Sequence, residues 1–254
     1  MVSAARKANR RLIRDFNEVE QLQVSIKGPS DFVSQADLAC ENTLYEELSK
    51  ARPGYGFLLE ERGIVEGDDK THRWIIDPID GTTNFLHGIP IFAISICLER
   101  EGEPVAALVY NPAMNEYFTA EKGKGCFLND KRCRIAARKH LSDAVIVCGI
   151  PHRGKPGHDI FLKEEAIMMK EVAGMRRSGS AALDLAWVAA GRFDGYWERD
   201  IQPWDMAAGI LLVREAGGHV TDLDDRDNML DTGHLLAANI ALHKLMFQHL
   251  KNTN

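Results

Sequence analysis

Four carboxylates in this chain abut apolar elements. Glu60 follows Gly56-Phe57-Leu58-Leu59, Asp77 and Asp80 follow Trp74-Ile75-Ile76, and Asp205 follows Trp204 at the start of an apolar run. A carboxylate beside buried structure is unfavourable unless it is paired or holds a cation. Any one of the four alone reads as a helix cap or a surface group. Asp77-Pro78-Ile79-Asp80-Gly81-Thr82-Thr83-Asn84-Phe85 reads differently as a unit. Two acids three residues apart offer the oxygen ligands that Mg²⁺ requires. Pro78 stiffens the turn between them and removes one donor. Gly81 permits a tight backbone, and the amides that follow can point at an anion. A buried strand, an acidic turn and a helix start together suit hard cations and a phosphate.

The elements that must position these groups are legible in outline. Residues 4–22 have helical periodicity, with Leu12, Phe16, Val19 and Leu22 on one face, and Lys27-Gly28-Pro29-Ser30 breaks it. Residues 34–48 predict a second helix with Leu38, Leu44, Tyr45 and Leu48 toward the core. Short strands are expected at 56–59, 74–76, 91–99, 104–111, 116–120 and 125–128, in an antiparallel meander. The second half alternates, with strands at 145–149 and 193–198 and near His219 and Leu235. Its helices are expected at 158–173, 180–190, 204–216 and 240–250, with Ser180 as an N-cap and Gly217-Gly218 as a C-cap. Met168, Met169 and Met206 are core candidates, and Trp187, Trp197 and Trp204 read as packing residues. The pattern predicts a compact α+β or layered unit whose two lobes, 1–135 and 136–254, divide near residue 136.

Composition narrows the function classes. The 254 residues carry a net charge of −6, which argues against general electrostatic binding of nucleic acid. No apolar run has membrane-spanning length, and the basic N-terminus lacks the apolar core of a secretory signal. Five cysteines occur without a CxxC pair, which suggests no disulfide framework and a cytoplasmic setting. The nine histidines show no HxxxH or HExxH spacing, against a zinc hydrolase. Asp77 and Asp80 have the wrong spacing for an aspartyl-phosphate enzyme, and Gly123-Lys124-Gly125 reads as a hairpin turn, not a nucleotide loop.

The stretch from Asp77 to Phe85 resembles the first signature of the inositol monophosphatase family, and Trp204-Asp205-Met206-Ala207-Ala208-Gly209, continuing to Glu215-Ala216-Gly217-Gly218, resembles the second. Lys27-Gly28-Pro29 with Asp37, the pair Glu60-Glu61, and Gly179-Ser180-Ala181 fall in the family's order. The resemblance runs from about residue 5 to the C-terminus. It implies a layered α-β-α-β-α sandwich of the inositol monophosphatase and fructose bisphosphatase type, with a largely antiparallel N-terminal sheet and a smaller C-terminal one. It also implies a Mg²⁺-dependent, lithium-sensitive phosphomonoesterase, dimeric and cytoplasmic, acting on a phosphorylated polyol or sugar such as inositol monophosphate. The positions matching the family's metal ligands are Glu60, Asp77, Asp80 and Asp205, with the carbonyl of Ile79. Thr82 matches the hydroxyl that positions water together with Glu60, and Asp77 belongs to the same catalytic group. Gly81 and Thr82 match the phosphate-binding amides, with Asp80, Ala181, Glu198 and Asp205 also facing substrate. Asp37 matches a residue that orients water on a further metal.

Phosphoryl transfer needs positioning and charge neutralisation more than covalent catalysis, and paired metals supply both. The four carboxylates and a phosphate dianion together carry six negative charges, which three Mg²⁺ would neutralise and two would not. Two or three Mg²⁺ per site are therefore expected, the third arriving with substrate. The resemblance defines the reaction more narrowly than the substrate, because related enzymes also hydrolyse fructose bisphosphate, nucleotide 3′-phosphates and histidinol phosphate. Leu59 is expected to add bulk near the metal loop. Arg199 reads either as reaching a second anionic group on the substrate or as half of a solvated pair with Asp200. The basic stretch Lys131, Arg132, Arg134, Arg138 and Lys139 reads as a solvated boundary. It is the one feature that suits a second, non-catalytic role in RNA synthesis, known for some bacterial members of the family.

Overall fold

The computed structural model describes residues 1–18, 24–28 and 31–251, with side chains described outside residues 19–33. Val19, Leu22, Pro29 and Ser30, singled out in the sequence, lie outside the described residues. The chain runs α1 (Val2–Asn17), β1 (Val24–Gly28), β2 (Asp31–Ser34), α2 (Gln35–Ala51), β3 (Tyr55–Leu59), β4 (Gly63–Val65), β5 (Asp69–Asp80), α3 (Thr82–Leu86), β6 (Ala93–Arg100), β7 (Glu103–Asn111), β8 (Glu116–Glu121), β9 (Gly125–Leu128) and β10 (Lys131–Arg132). There follow β11 (Val145–Cys148), α4 (His158–Glu171), β12 (Gly174–Arg176), α5 (Ala181–Ala189), β13 (Gly195–Glu198), α6 (Pro203–Glu215), β14 (His219–Thr221), α7 (Met229–Thr232), β15 (Leu235–Ala238) and α8 (Ile240–Lys251).

Two sheets carry the fold. The larger has eight strands in the order β10-β9-β8-β7-β6-β5-β3-β4, antiparallel except for the β3–β5 pair. The smaller has five strands in the order β12-β11-β13-β15-β14, with β11 parallel to both its neighbours. Side-chain alternation makes both sheets two-faced. On β6, Ile94 and Ile96 pack with Leu12, Leu44 and Leu48 of α1 and α2, while Ala93 and Cys97 pack with α5 and α6. On β15, Leu235 and Ala237 face α5 and α6, and Leu236 and Ala238 face Met168 of α4 and Leu242 of α8. Five layers result: α1 and α2, the large sheet, α5 and α6, the small sheet, then α4 and α8. The middle helices are buried on both sides, which is why their sequences are apolar all round.

Several expectations change in detail. β5 begins at Asp69, five residues before the apolar run that marks it, and β1, β2, β4, β10, β12 and α7 were not foreseen. The first helix ends at Asn17. Leu38 is 46% exposed and Met169 is 60% exposed, so neither is core. Leu59 is fully buried beneath α1 and α2 and adds nothing to the metal loop.

Candidate active site

The decisive local feature is a one-residue bulge. Asp77 pairs with Ser95 and Asp80 pairs with Ala93, so three steps along β5 match two along β6. In a regular strand, residues three apart face opposite sides of the sheet. The extra residue, placed where Pro78 has no N–H to give the ladder, turns Asp77 and Asp80 to the same face. Ile79 points the other way, into the core beneath α1 and α2.

Gly81 then reverses the chain with φ +93°, and a Cβ there would lie 3.0 Å from the Ile91 carbonyl and 3.1 Å from that of Gly179. This close approach brings the start of α3 against the turn before α5. Ser180 Oγ, the α5 cap, donates to Asp80 Oδ2, and the Ala182 amide donates to the same oxygen at 2.7 Å. Asp205 arrives from the first turn of α6, where its Oδ2 accepts the Gln202 amide at 2.8 Å in a capping box. Ser95 Oγ donates to the Trp204 carbonyl at 3.2 Å and ties that helix start to β6. Oxygens of Asp77, Asp80 and Asp205 thus lie within 4.8 Å of one another.

Glu60 sits beyond the end of β3, its amide donating to the Ile76 carbonyl of parallel β5 at 3.3 Å. Its carboxyl stands beside Asp77. Burial first, then Glu60, Asp80 and Asp205, push the Asp77 pKa well above the ordinary carboxylate range. Asp205 is raised in the same way, by burial and then by Asp80. Such mutual repulsion is relieved by a hard divalent cation, and an all-oxygen donor set fits one.

The Thr82 hydroxyl donates to the Ile79 carbonyl at 3.0 Å and lies 3.4 Å from Asp37 Oδ1. Asp37 is the acid of the α2 capping box with Ser34, and burial raises its pKa to about 7.

A cavity of about 450 Å³ opens above these groups, bounded by Gly149, Lys155, Arg177, Ala181, Asp184 and Glu198 among others. Glu198 ends β13, accepts a short hydrogen bond from Tyr196, and has its pKa raised to about 7 by burial. Glu60, Asp77, Ile79, Asp80, Gly81, Thr82, Ala181, Glu198 and Asp205 therefore line one cavity, whereas Asp37 stands behind Thr82 and is not part of its lining. Asp184 was missed. It lies one turn into α5, is 1% exposed, and leaves Oδ1 without a partner among the described residues. A lone acid in Ala181-Ala182-Leu183-Asp184-Leu185-Ala186 was the available signal.

Arg199 lines the cavity, and it is not the solvated partner of Asp200. Its guanidinium grips Glu164 of α4 at 2.6 Å, and that carboxylate is fully buried. The basic stretch is partly engaged, since Arg138 donates to buried Asp194 at 2.9 Å and Arg132 lies over the Phe127 ring. Cys126 and Arg132 have the Cys-x5-Arg spacing of a cysteine phosphatase, yet they sit on the β9–β10 hairpin, outside the cavity. The Cys126 thiol is buried and held protonated by Cys133 and by burial, so it is no nucleophile.

A family model described as "Inositol monophosphatase family" matches residues 1–254. The chain belongs to the inositol monophosphatase family. A relative named Inositol-1-monophosphatase, from Mesorhizobium japonicum, is 59% identical over 251 residues, covering 99% of this chain and 94% of that protein. A relative named Nus factor SuhB, from Escherichia coli, is 40% identical over 251 residues, covering 99% and 94%. Among solved structures, the extragenic suppressor protein suhB of Bartonella henselae superimposes with a TM-score of 0.97 at 55% identity, covering 99% of this chain and 96% of that one. The five-layered arrangement is thus an inositol monophosphatase fold, and the acid-lined cavity belongs to an inositol monophosphatase family member.

Proposed function

We propose that this chain hydrolyses inositol monophosphate to inositol and phosphate, with two or three Mg²⁺ ions held by Glu60, Asp77, Asp80, Asp205 and the Ile79 carbonyl. The observation that carries this reading is the convergence of Asp77, Asp80 and Asp205 within 4.8 Å beside the Gly81–Thr82 turn. The Mesorhizobium japonicum relative, named Inositol-1-monophosphatase, supports the substrate. Bound Mg²⁺ would supply the charge that offsets the phosphate and would acidify a water. The chain's own groups do the rest. Glu60 accepts the proton of the attacking water, and the Thr82 hydroxyl orients that water. The amides of Gly81 and Thr82 hold phosphate oxygens. Glu198 accepts hydrogen bonds from substrate hydroxyls, with Asp205 at its side, while Ala181 leaves room for the ring. Asp37 acts through Thr82.

We read the division near residue 136 as a change of sheet and not of folding unit, because α5 and α6 pack against both sheets. The family resemblance further supports a cytoplasmic homodimer inhibited by Li⁺. No described helix is long and apolar enough to cross a membrane.

The test is a Mg²⁺-supported phosphatase panel of inositol 1-phosphate, fructose 1,6-bisphosphate, a nucleotide 3′-phosphate and histidinol phosphate. Inositol 1-phosphate should give the highest kcat/KM, and Li⁺ should suppress it. Full turnover by folded Asp77→Asn and Asp205→Asn would refute the site. A second role in RNA synthesis is favoured by the name of the Escherichia coli relative alone. It predicts RNA polymerase retention that charge reversal at Lys131 and Arg134 abolishes.

A further inference from the structure

The smaller sheet carries a second group of metal-ligating side chains, on the side chain cluster at its β14 edge. A ring nitrogen of His219, one of His243 and a carboxylate oxygen of Asp225 lie within 4.8 Å of one another. His219 opens β14, the outermost strand. Asp225 stands in the turn that follows, and His243 faces them from the first turns of α8. No sequence spacing announces the set, because its two histidines are 24 positions apart.

We propose that His219, Asp225 and His243 hold a zinc-class transition-metal ion that pins α8 to the β14 edge. This site is independent of the phosphatase centre.

Hydrogen bonding prepares His243 for such a role. The Thr221 hydroxyl has one hydrogen, and it is given to the Asp222 carbonyl at 2.8 Å. His243 Nε2, 2.9 Å from the same hydroxyl, must therefore be the donor. The lone pair then sits on Nδ1. A ligating histidine whose other nitrogen is anchored by a hydrogen bond is the usual arrangement around a protein-bound metal. His243 is 2% exposed, and burial together with His219 lowers its pKa to about 4, so the ring is neutral. The two imidazoles meet edge to face with centroids 4.5 Å apart.

The turn is equally built. The Asp222 carboxylate accepts the amides of Asp224 and Arg226, both at 2.8 Å, and the Arg226 Nε at 3.2 Å. This holds Asp225 at φ +63°, a conformation that non-glycine residues adopt at a cost. Two imidazoles and a carboxylate suit Zn²⁺ and its neighbours in preference to Mg²⁺ or Ca²⁺. Ligands about 2.0–2.2 Å from one tetrahedral ion lie roughly 3.4 Å apart. Atoms within 4.8 Å of one another need draw in by at most about 1.4 Å to reach that spacing, and exposed Asp225 is the member free to do so.

The experiment is equilibrium dialysis of the full chain against Zn²⁺ in excess Mg²⁺, with Co²⁺ absorption as a second reading. The wild type should bind one Zn²⁺ per chain and give the intense visible band of tetrahedral Co²⁺. His219→Ala at a half-buried position and Asp225→Ala at an exposed one, both checked by thermal melting, should each weaken binding tenfold or more and lose the band. Asp205→Asn should keep both. Absence of Zn²⁺ binding in the wild type, binding that ignores His219→Ala and Asp225→Ala, or its loss in Asp205→Asn would each overturn the proposal. In the first of these outcomes the three side chains are a polar cluster only.

Discussion

Glu198 occupies the space that a side chain on Gly149 would need. A Cβ built on Gly149 would lie 1.7 Å from the Glu198 carboxyl carbon. The carboxylate proposed to recognise substrate hydroxyls is therefore set against bare backbone at the end of the neighbouring strand, β11. Gly149→Ala must push it aside. Hydrogen bonds to a charged group contribute about 1.5–3 kcal/mol, so KM for inositol monophosphate should rise roughly tenfold or more. Turnover of p-nitrophenyl phosphate, which has no ring hydroxyls, should change much less. Equal losses on both substrates would show that Gly149 serves the metal site and not recognition.

Asp77→Asn and Asp205→Asn should act oppositely on activity and on metal-free stability. Removing a group that only orients a metal ligand costs up to about a hundredfold, so losing a ligand should cost more. Each change also deletes one of three mutually repelling carboxylates. In chelator, relief of about 1 kcal/mol would raise Tm by about 2–4 °C for a chain of this size. Differential scanning calorimetry beside a phosphate-release assay checks both halves.

The benefit of Mg²⁺ to stability should grow with pH. Burial raises Asp37 and Glu198 to about 7, from ordinary values of 3.8 and 4.5. A carboxyl raised in this way binds more protons folded than unfolded between those limits. Its contribution to stability is thus lost as pH rises from about 4 to about 7. His243, lowered to about 4, works in the opposite direction over part of that range. It is remote from the acid cluster, so it cancels in the difference between Tm with Mg²⁺ and Tm in chelator. That difference should widen from pH 5 to pH 7.5. A constant difference would mean that the acids stay ionised without metal.

Arg199→Ala should destabilise the fold by about 3 kcal/mol, because it strands the buried Glu164 carboxylate. The Trp197 indole, 3.1 Å from the other oxygen, compensates only in part. Urea denaturation measures this, and Glu164→Gln in the same background should recover much of the loss. Failure of the second change to recover stability would point to a role for Arg199 toward the ligand.

The parts of this molecule that were legible in sequence are those written in consecutive residues. Trp74-Ile75-Ile76 followed by two acids declares a strand end, and Pro203 with Asp205 and Gly217 brackets α6. The bulge that aligns Asp77 with Asp80 was visible only as Pro78, since a ladder mismatch belongs to two strands. Arg199 was misread because its partner stands 35 positions earlier, on the outer helix layer. Asp184 was overlooked because an apolar helix hides a single charge well. Leu38 and Met169 were placed on the wrong face, one step from positions that are buried. His219 and His243 meet only through the packing of α8 on an edge strand.

The bond between Ser180 and Asp80 also bears on how the protein is made. It joins residues 100 positions apart, and Asp205 lies later still. At 5–20 residues per second, synthesis leaves roughly 6–25 s between the emergence of Asp80 and that of Asp205. During that interval the ribosome-bound chain has Glu60, Asp77 and Asp80 but neither the cap nor the last acid. The large sheet cannot close over its acids while they face open water on one side. The N-terminal half should therefore stay protease-sensitive on the ribosome until α5 and α6 have been released.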